Sequence, residues 1–482
     1  MSLWARKSID SLVAETQEAA DGAPQMHRSL GVWNLTSIGI GCTIGAGIFV
    51  LTGTDAANYA GPAVALAFVL AALACLCAAL CYAELASMIP VAGSAYTYAY
   101  ATLGELVAWI IGWNLVLEYL IAVSTVAVGW SGYFGAFLAE RGLDPGPLLT
   151  QPPFIRTAHH WAASSGLINL PAVGIVLACT GALTLGIRES ALFNNLMVTV
   201  KLGVILVVIA FGVLYVNPDN WHPFVPANTG TPGEFGWSGV MRAAGVVFFA
   251  YIGFDVVSTS AQEARNPTRT VPIALILTLL ICTVLYVAMS LVMTGLAPYF
   301  LLNVPHPVFV AVEHAGSGLA WIKPVVTTGA IVGLASAVLV TLYGQVRIFY
   351  SMGRDGIIPP SFAKLHPRRR VPVRGTWLCG IAAAVIAGLV PIEVLGELAS
   401  IGTLMAFAVV CASIVVLRRT RPHVPRPFKA PFGNFVAIVG VITCLALMAS
   451  LPQDTWIRLI VWLALGLAIY FGYGYRHSNL RR

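Results

Sequence analysis

Long apolar runs separated by short polar breaks make up most of the chain. Twelve runs are read near 32–58, 62–89, 104–138, 169–187, 191–216, 238–262, 271–297, 322–351, 375–391, 394–417, 434–451 and 455–475. Each is of the order of the ~20 residues that a helix needs to cross a bilayer. They are too long and too evenly apolar for the alternating strands of a barrel. The pattern predicts an all-α polytopic membrane protein. Spans 3 and 8 exceed what a bilayer requires and are expected to tilt or project.

Two spans break the apolar rule from within. Span 1 contains SIGIGCTIGAGIFVLTG, from Ser37 to Gly53. Each glycine lowers helix stability by about 1 kcal/mol relative to alanine. Gly41 and Gly45 fit close GxxxG-type helix packing. The tighter Gly45-Ala46-Gly47 cluster fits a local break that exposes backbone groups to a cavity. Span 6 reads GVVFFAYIGFDVVSTSAQE, from Gly245 to Glu263, with Gly253 beside Asp255. An acid at this depth is costly and reads as functional, although capping the following half-helix is compatible with that role. The two breaks stand five spans apart. Spans 1–5 and 6–10 are therefore expected to be inverted repeats with an interrupted first helix in each, the LeuT-type arrangement with a midplane substrate site. Spans 11 and 12 are additional. The expected divisions are a tail at 1–27, repeats at 28–216 and 238–417, two further helices at 418–475 and a tail at 476–482. The positive end of an outer half-helix suits a carboxylate, and free carbonyls at the end of an inner one suit an ammonium. An α-amino acid carries both groups on one carbon.

Composition strengthens this reading. Of 482 residues, 58% are hydrophobic and 10% charged, against roughly 25% charged in soluble domains. Mean hydropathy is +0.83. A cytosolic enzyme, a secreted domain and a disordered regulator are excluded as whole-chain readings. The net charge of +7 does not point to nucleic acid, because the basic residues fall in short loops. Placing both termini on one side puts 21 of 27 Lys and Arg residues there and 5 on the other, among them Arg242, and leaves Lys201 in neither set. The bias predicts cytoplasmic termini, an even number of spans and a cell-membrane location. The basic loop around Arg368–Arg374 reads as a topology signal with anionic-lipid contact. The first 27 residues show no cleavable signal, so span 1 is expected to direct insertion. The nine cysteines form no metal-type spacing and read as packing residues. His159 and His160 read as loop residues, so no metal is expected.

The runs GIGCTIGAGIFVLTG, FFAYIGFDVVSTSAQEARNPTRTVPIALI from Phe248, GWNLVLEY from Gly112, YGQVRIFYSMGRDGIIPPSFAKLHPR from Tyr343 and RPHVPRPFKAPF from Arg421 resemble the amino acid–polyamine–organocation superfamily. They are most similar to the bacterial branch of its cationic amino acid transporter family, from about Arg28 to Tyr475. The resemblance implies twelve helices, a LeuT-type core of ten, alternating access and amino acid import, often driven by protons. It leaves neutral and cationic substrates both open. The expected substrate-binding set is Thr43, Ile44, Gly45, Ala46, Gly47, Glu118, Tyr119, Phe249, Ala250, Tyr251, Ile252, Gly253 and Asp255.

Lys201 lies about ten residues into span 5, or about 15 Å along a helix axis, too deep for full snorkelling. Burial disfavours a charged lysine, so this group could release and rebind a proton. In proton-coupled relatives, the resemblance implies, a lysine at this place in helix 5 stands where sodium binds in sodium-coupled ones. Protons rather than sodium are the expected driving ion, with Lys201 as coupling residue. A permanent structural cation joining helices 1 and 5, or a lipid-facing lysine, remains open. Glu118 in span 3 reads equally as a cavity acid or a structural acid. Tyr119 is expected to point elsewhere on the same helix. Glu84, Glu263 and Arg265 are assigned to inner-side contacts or gating. A polyamine carrier and an exchanger are the alternatives within transport. A channel lacks enough polar mid-span residues. An enzyme or receptor finds no P-loop, nucleophile elbow or His/Asp cluster.

Overall fold

The computed structural model describes residues 4–7, 30–89, 94–143, 145–156, 161–185, 191–259, 264–367 and 371–479. Helices dominate, and each of the twelve expected spans contains one. Span 1 is divided into α1 (Val32–Thr43) and α2 (47–60), the latter an α-turn at Thr52–Asp55 flanked by wider π-turns. Next come α3 (Val64–Met88), a short α4 (Ser94–Thr102), α5 (Glu105–Ala139), α6 (Leu170–Thr184) and α7 (Ala191–Gly212). Span 6 is divided into α8 (Gly236–Val247), which runs on through a tight turn at Phe248–Tyr251, and the single turn α9 (Val256–Thr259). The bundle continues with α10 (Pro267–Leu296), α11 (Lys323–Arg354), α12 (Val373–Leu389), α13 (Ile392–Thr420), α14 (Asn434–Ser450) and α15 (Gln453–Ile469).

Among the described residues, eight helical stretches are long and apolar enough to cross a membrane, and α6, α12 and α14 are shorter apolar helices. At 35 and 32 residues, α5 and α11 are the overlong spans. At about 1.5 Å per residue both exceed a hydrocarbon core of about 30 Å. They pack along each other, as do α3 and α10, and α13 lies against both α5 and α14. The outward faces carry Leu206, Leu280, Val284, Ile442 and Ile460, each more than half exposed. An apolar outer surface is what lipid requires and water does not tolerate. The α2–α3 corner depends on Gly61, at φ +59°, where a Cβ would lie 2.5 Å from Pro226 Cγ.

Described residues near the two termini, Lys7 and Asn479, lie at the same end of the bundle, the terminal end. Lys7 donates to Asp355 at 2.7 Å, and the Asn479 amide donates to the Asp355 carbonyl at 3.1 Å. Tyr96 donates to the same Asp355 side chain at 2.6 Å. Close by, buried Glu105 accepts from Tyr100, Tyr470 and Ser478. Glu84 on α3 accepts two bonds from Arg418, at 3.0 and 2.5 Å, and one from the Ala430 amide at 2.8 Å, with Arg426 at 3.4 Å. This assigns Glu84 and the RPHVPRPFKAPF loop to each other. Arg265 closes a backbone contact to Leu30, while Glu263, His159, His160 and Arg368–Arg370 lie outside the described residues. The long loop before α6 contains a small antiparallel ribbon, Phe154–Arg156 with Trp161–Ala163.

One expectation is corrected. The sequence singles out Lys201, Asp255 and Glu118 as the few charged residues at membrane depth, and the structure buries others there as well. Asp55, Glu84, Glu105 and Glu397 are also buried on helices, and Arg242 is a helical residue of α8 rather than a loop cation. Hydropathy averaging hides single charges near span ends, and Glu84, Glu105 and Glu397 find partners on other helices.

Candidate functional site

The two helix breaks meet. Helix α1 ends at Thr43 and the chain turns extended at Ile44, with ψ 106°, before winding again into α2. Across from it, α8 ends at Tyr251, Ile252 is extended with ψ 133°, and Gly253 adopts φ +107°. A Cβ on Gly47 would come 2.4 Å from Ala250 Cβ, and one on Gly253 would come 2.9 Å from the Cys42 carbonyl carbon. The glycines are thus required for backbone-to-backbone approach of the two breaks. Gly45 differs: a Cβ there would meet only Ala337 Cβ at 3.8 Å and Val126 Cγ2 at 3.9 Å.

The backbone groups released by the breaks are shared between protein donors. Ile40 O accepts the Ile44 amide at 2.9 Å, and Gly41 O accepts Lys201 Nζ at 3.0 Å. Tyr286 on α10 donates its hydroxyl to Ala250 O at 2.7 Å and to Thr43 O at 3.1 Å, so one proton is shared between both breaks. Ser400 on α13 donates to Val246 O at 2.8 Å and accepts the Phe249 amide at 3.1 Å, capping the end of α8. The first amides of α2, from Ala46 onward, point from a helix N-terminus and have no partner within that helix by construction. A carboxylate is favoured there and a cation at the end of α1.

The structure brings together Thr43, Ile44, Gly45, Ala46, Gly47, Phe249, Ala250, Ile252 and Gly253 at this junction. Tyr251 turns away, with its hydroxyl on Phe68 O of α3 at 3.0 Å. Asp255 is buried beside Ser258 and within electrostatic range of both Glu118 and Tyr119. Glu118 faces Thr403 of α13, and its Oε2 is buried with no hydrogen-bond partner among the described residues. The Tyr119 ring packs on Gly344 of α11, so the two neighbours diverge as expected. Lys201 is 2% exposed, with its Cγ 2.8 Å from where a Gly333 Cβ would stand. It lies between α1, α7 and α11, which excludes the lipid-facing reading. Tyr286, Ser400 and Thr403 carried no signal in the sequence, being single polar positions in apolar runs.

The chain matches the amino acid permease family over residues 30–469. It is 46% identical over 485 residues to the branched-chain amino acid permease BcaP of Bacillus subtilis, covering 100% of this chain and 99% of that one. It is 44% identical over 481 residues to the methylthioribose transporter of the same organism, covering all of both chains. Similarity extends to a vacuolar cationic amino acid transporter of Arabidopsis thaliana, 38% identical over 422 residues, 87% of this chain and 68% of that one.

Proposed function

The chain belongs to the amino acid permease family, and from that premise we propose that it imports a neutral L-amino acid with protons, by alternating access at the paired breaks, with Lys201 as the coupling group. The observation that carries the proposal is the Lys201 Nζ contact on Gly41 O at 3.0 Å. Charged, this ammonium neutralises the negative end of α1 and holds α1 against α7. Neutral, it releases that end, so proton occupancy and the position of α1 change together. A fixed ammonium there leaves no need for sodium.

The substrate carboxylate is assigned to the amides of Gly45, Ala46 and Gly47, where the positive end of α2 points. Its ammonium is assigned to the break carbonyls at the end of α1. Val126 and Ala337, the side chains nearest Gly45, favour an aliphatic substrate. The branched-chain permease supports the same reading. The methylthioribose relative names a competitor that lacks both charged groups. The halves 28–216 and 238–417 act as the inverted repeats, and the Lys and Arg bias supports a cytoplasmic position for the terminal end of a cell-membrane protein.

The test is uptake by purified protein in liposomes under a pH gradient, with neutral, cationic and acidic amino acids, putrescine and methylthioribose as competitors. Competition by valine, isoleucine or alanine is expected. Competition by methylthioribose or putrescine and by no amino acid overturns the substrate reading. Uptake that requires sodium and survives Lys201→Ala unchanged overturns the coupling reading.

A further inference from the structure

A second buried charge cluster lies at the end of the bundle opposite the termini, away from the break. Asp55, in the Thr52–Asp55 turn of α2, is 2% exposed, and its Oδ2 has no hydrogen-bond partner among the described residues. The charged groups acting on it are Glu397 and Glu393 of α13 and Arg242 of α8, with the Tyr59 hydroxyl alongside. Two of these groups are acids and one, Arg242, carries positive charge. Arg242 commits that charge to Glu397, at 3.1 Å, and stacks over the Tyr59 ring at 4.3 Å. Glu397 also accepts from Thr455 at 2.9 Å and Tyr59 at 3.5 Å. Glu397 is thus held by Arg242, Thr455 and Tyr59. None reaches Asp55 Oδ2, and a second carboxylate there would be buried, unpaired and repelled by the first.

We propose that Asp55 holds a proton in this conformation, so that Asp55, Arg242 and Glu397 form a proton-binding site separate from Lys201, and that loss of this proton opens the contact of α2 with α8 and α13. The geometry supplies the mechanism. Ionised Asp55 needs hydration or a cation of its own, and water reaches it only if α2 moves outward from Arg242 and Glu397. The cluster joins α2, α8, α13 and, through Thr455, α15. One proton is thereby linked to the closure of this end. The inference does not depend on which ion drives transport.

Infrared difference spectra of the purified protein between acid and alkaline pH test this, because a protonated carboxylic acid has a carbonyl band that a carboxylate lacks. The band should vanish in Asp55→Asn and persist in Glu118→Gln. Asparagine mimics neutral aspartic acid, so Asp55→Asn should fold and melt at or above the wild-type temperature. Wild-type melting should fall as pH rises, since the folded state keeps a proton that the unfolded chain has released, and this dependence should flatten in Asp55→Asn. An unchanged band in Asp55→Asn overturns the proposal. So does failure of Asp55→Asn to fold, or its melting below wild type. Sodium that raises wild-type melting at fixed pH, but not that of Asp55→Asn, places a metal cation there and also overturns it.

Discussion

Replacing Gly47 with alanine puts a methyl carbon 2.4 Å from Ala250 Cβ and 2.5 Å from Ala250 Cα. Carbon atoms rest at about 3.5–4.0 Å, so the two breaks must part by roughly 1 Å. No rotamer relieves the clash, because both contacts are to atoms fixed by the backbone. Overpacking of this kind costs about 1–3 kcal/mol. At about 1.4 kcal/mol per factor of ten, the conformation described here loses roughly 5- to 150-fold in population relative to states with α2 and α8 apart. Gly45→Ala is the internal control, since its methyl meets only ordinary contacts at 3.8 and 3.9 Å. That methyl still stands at the mouth of the α2 amides, where a carboxylate would approach. Thermal melting of purified protein reads stability, and substrate counterflow in liposomes reads affinity and rate separately. Gly47→Ala should melt lower and transport poorly. Gly45→Ala should melt like wild type with weakened apparent affinity. Gly47→Ala behaving as wild type in both assays, or Gly45→Ala melting as low as Gly47→Ala, refutes the reasoning.

Tyr286→Phe removes the hydroxyl shared by Thr43 O and Ala250 O, and the loss of that buried donor should lower stability by about 1–3 kcal/mol; a melting curve superimposable on wild type contradicts this. Lys201→Ala should abolish accumulation driven by a pH gradient while counterflow continues, and accumulation at the wild-type level would show that the ammonium is not the coupling group. Glu84→Gln strands Arg418 and Arg426 at a buried site, and breaking such a cluster costs about 3–5 kcal/mol, read as a large melting shift or lost folded yield. Lys7→Ala removes one ion pair of Asp355, which keeps Tyr96 as a donor, and a smaller loss than in Glu84→Gln is expected from the same measurement.

The apolar runs alone determined that this chain is a helical, polytopic membrane protein and where its helices lie to within a few residues, because bilayer thickness and backbone hydrogen bonding leave one solution for such a pattern. Gly45, Gly47, Gly253 and Asp255 also marked both breaks, since a glycine cluster or an acid inside a span has few uses. Lys201 stood out for the same reason. What the pattern did not contain was pairing. Tyr286 reads as one more aromatic residue in an apolar run until it is seen bonded to Thr43, 243 positions away. Arg242 counted as a topology signal until α8 carried it onto Glu397, 155 positions away. Asp55 was averaged into span 1 until the fold surrounded it with two other acids and gave its Oδ2 no donor. A hydropathy pattern is a local property that reports transfer into lipid. The state and role of a buried polar group depend on which other group folding sets within about 3 Å of it, and only the tertiary structure decides that.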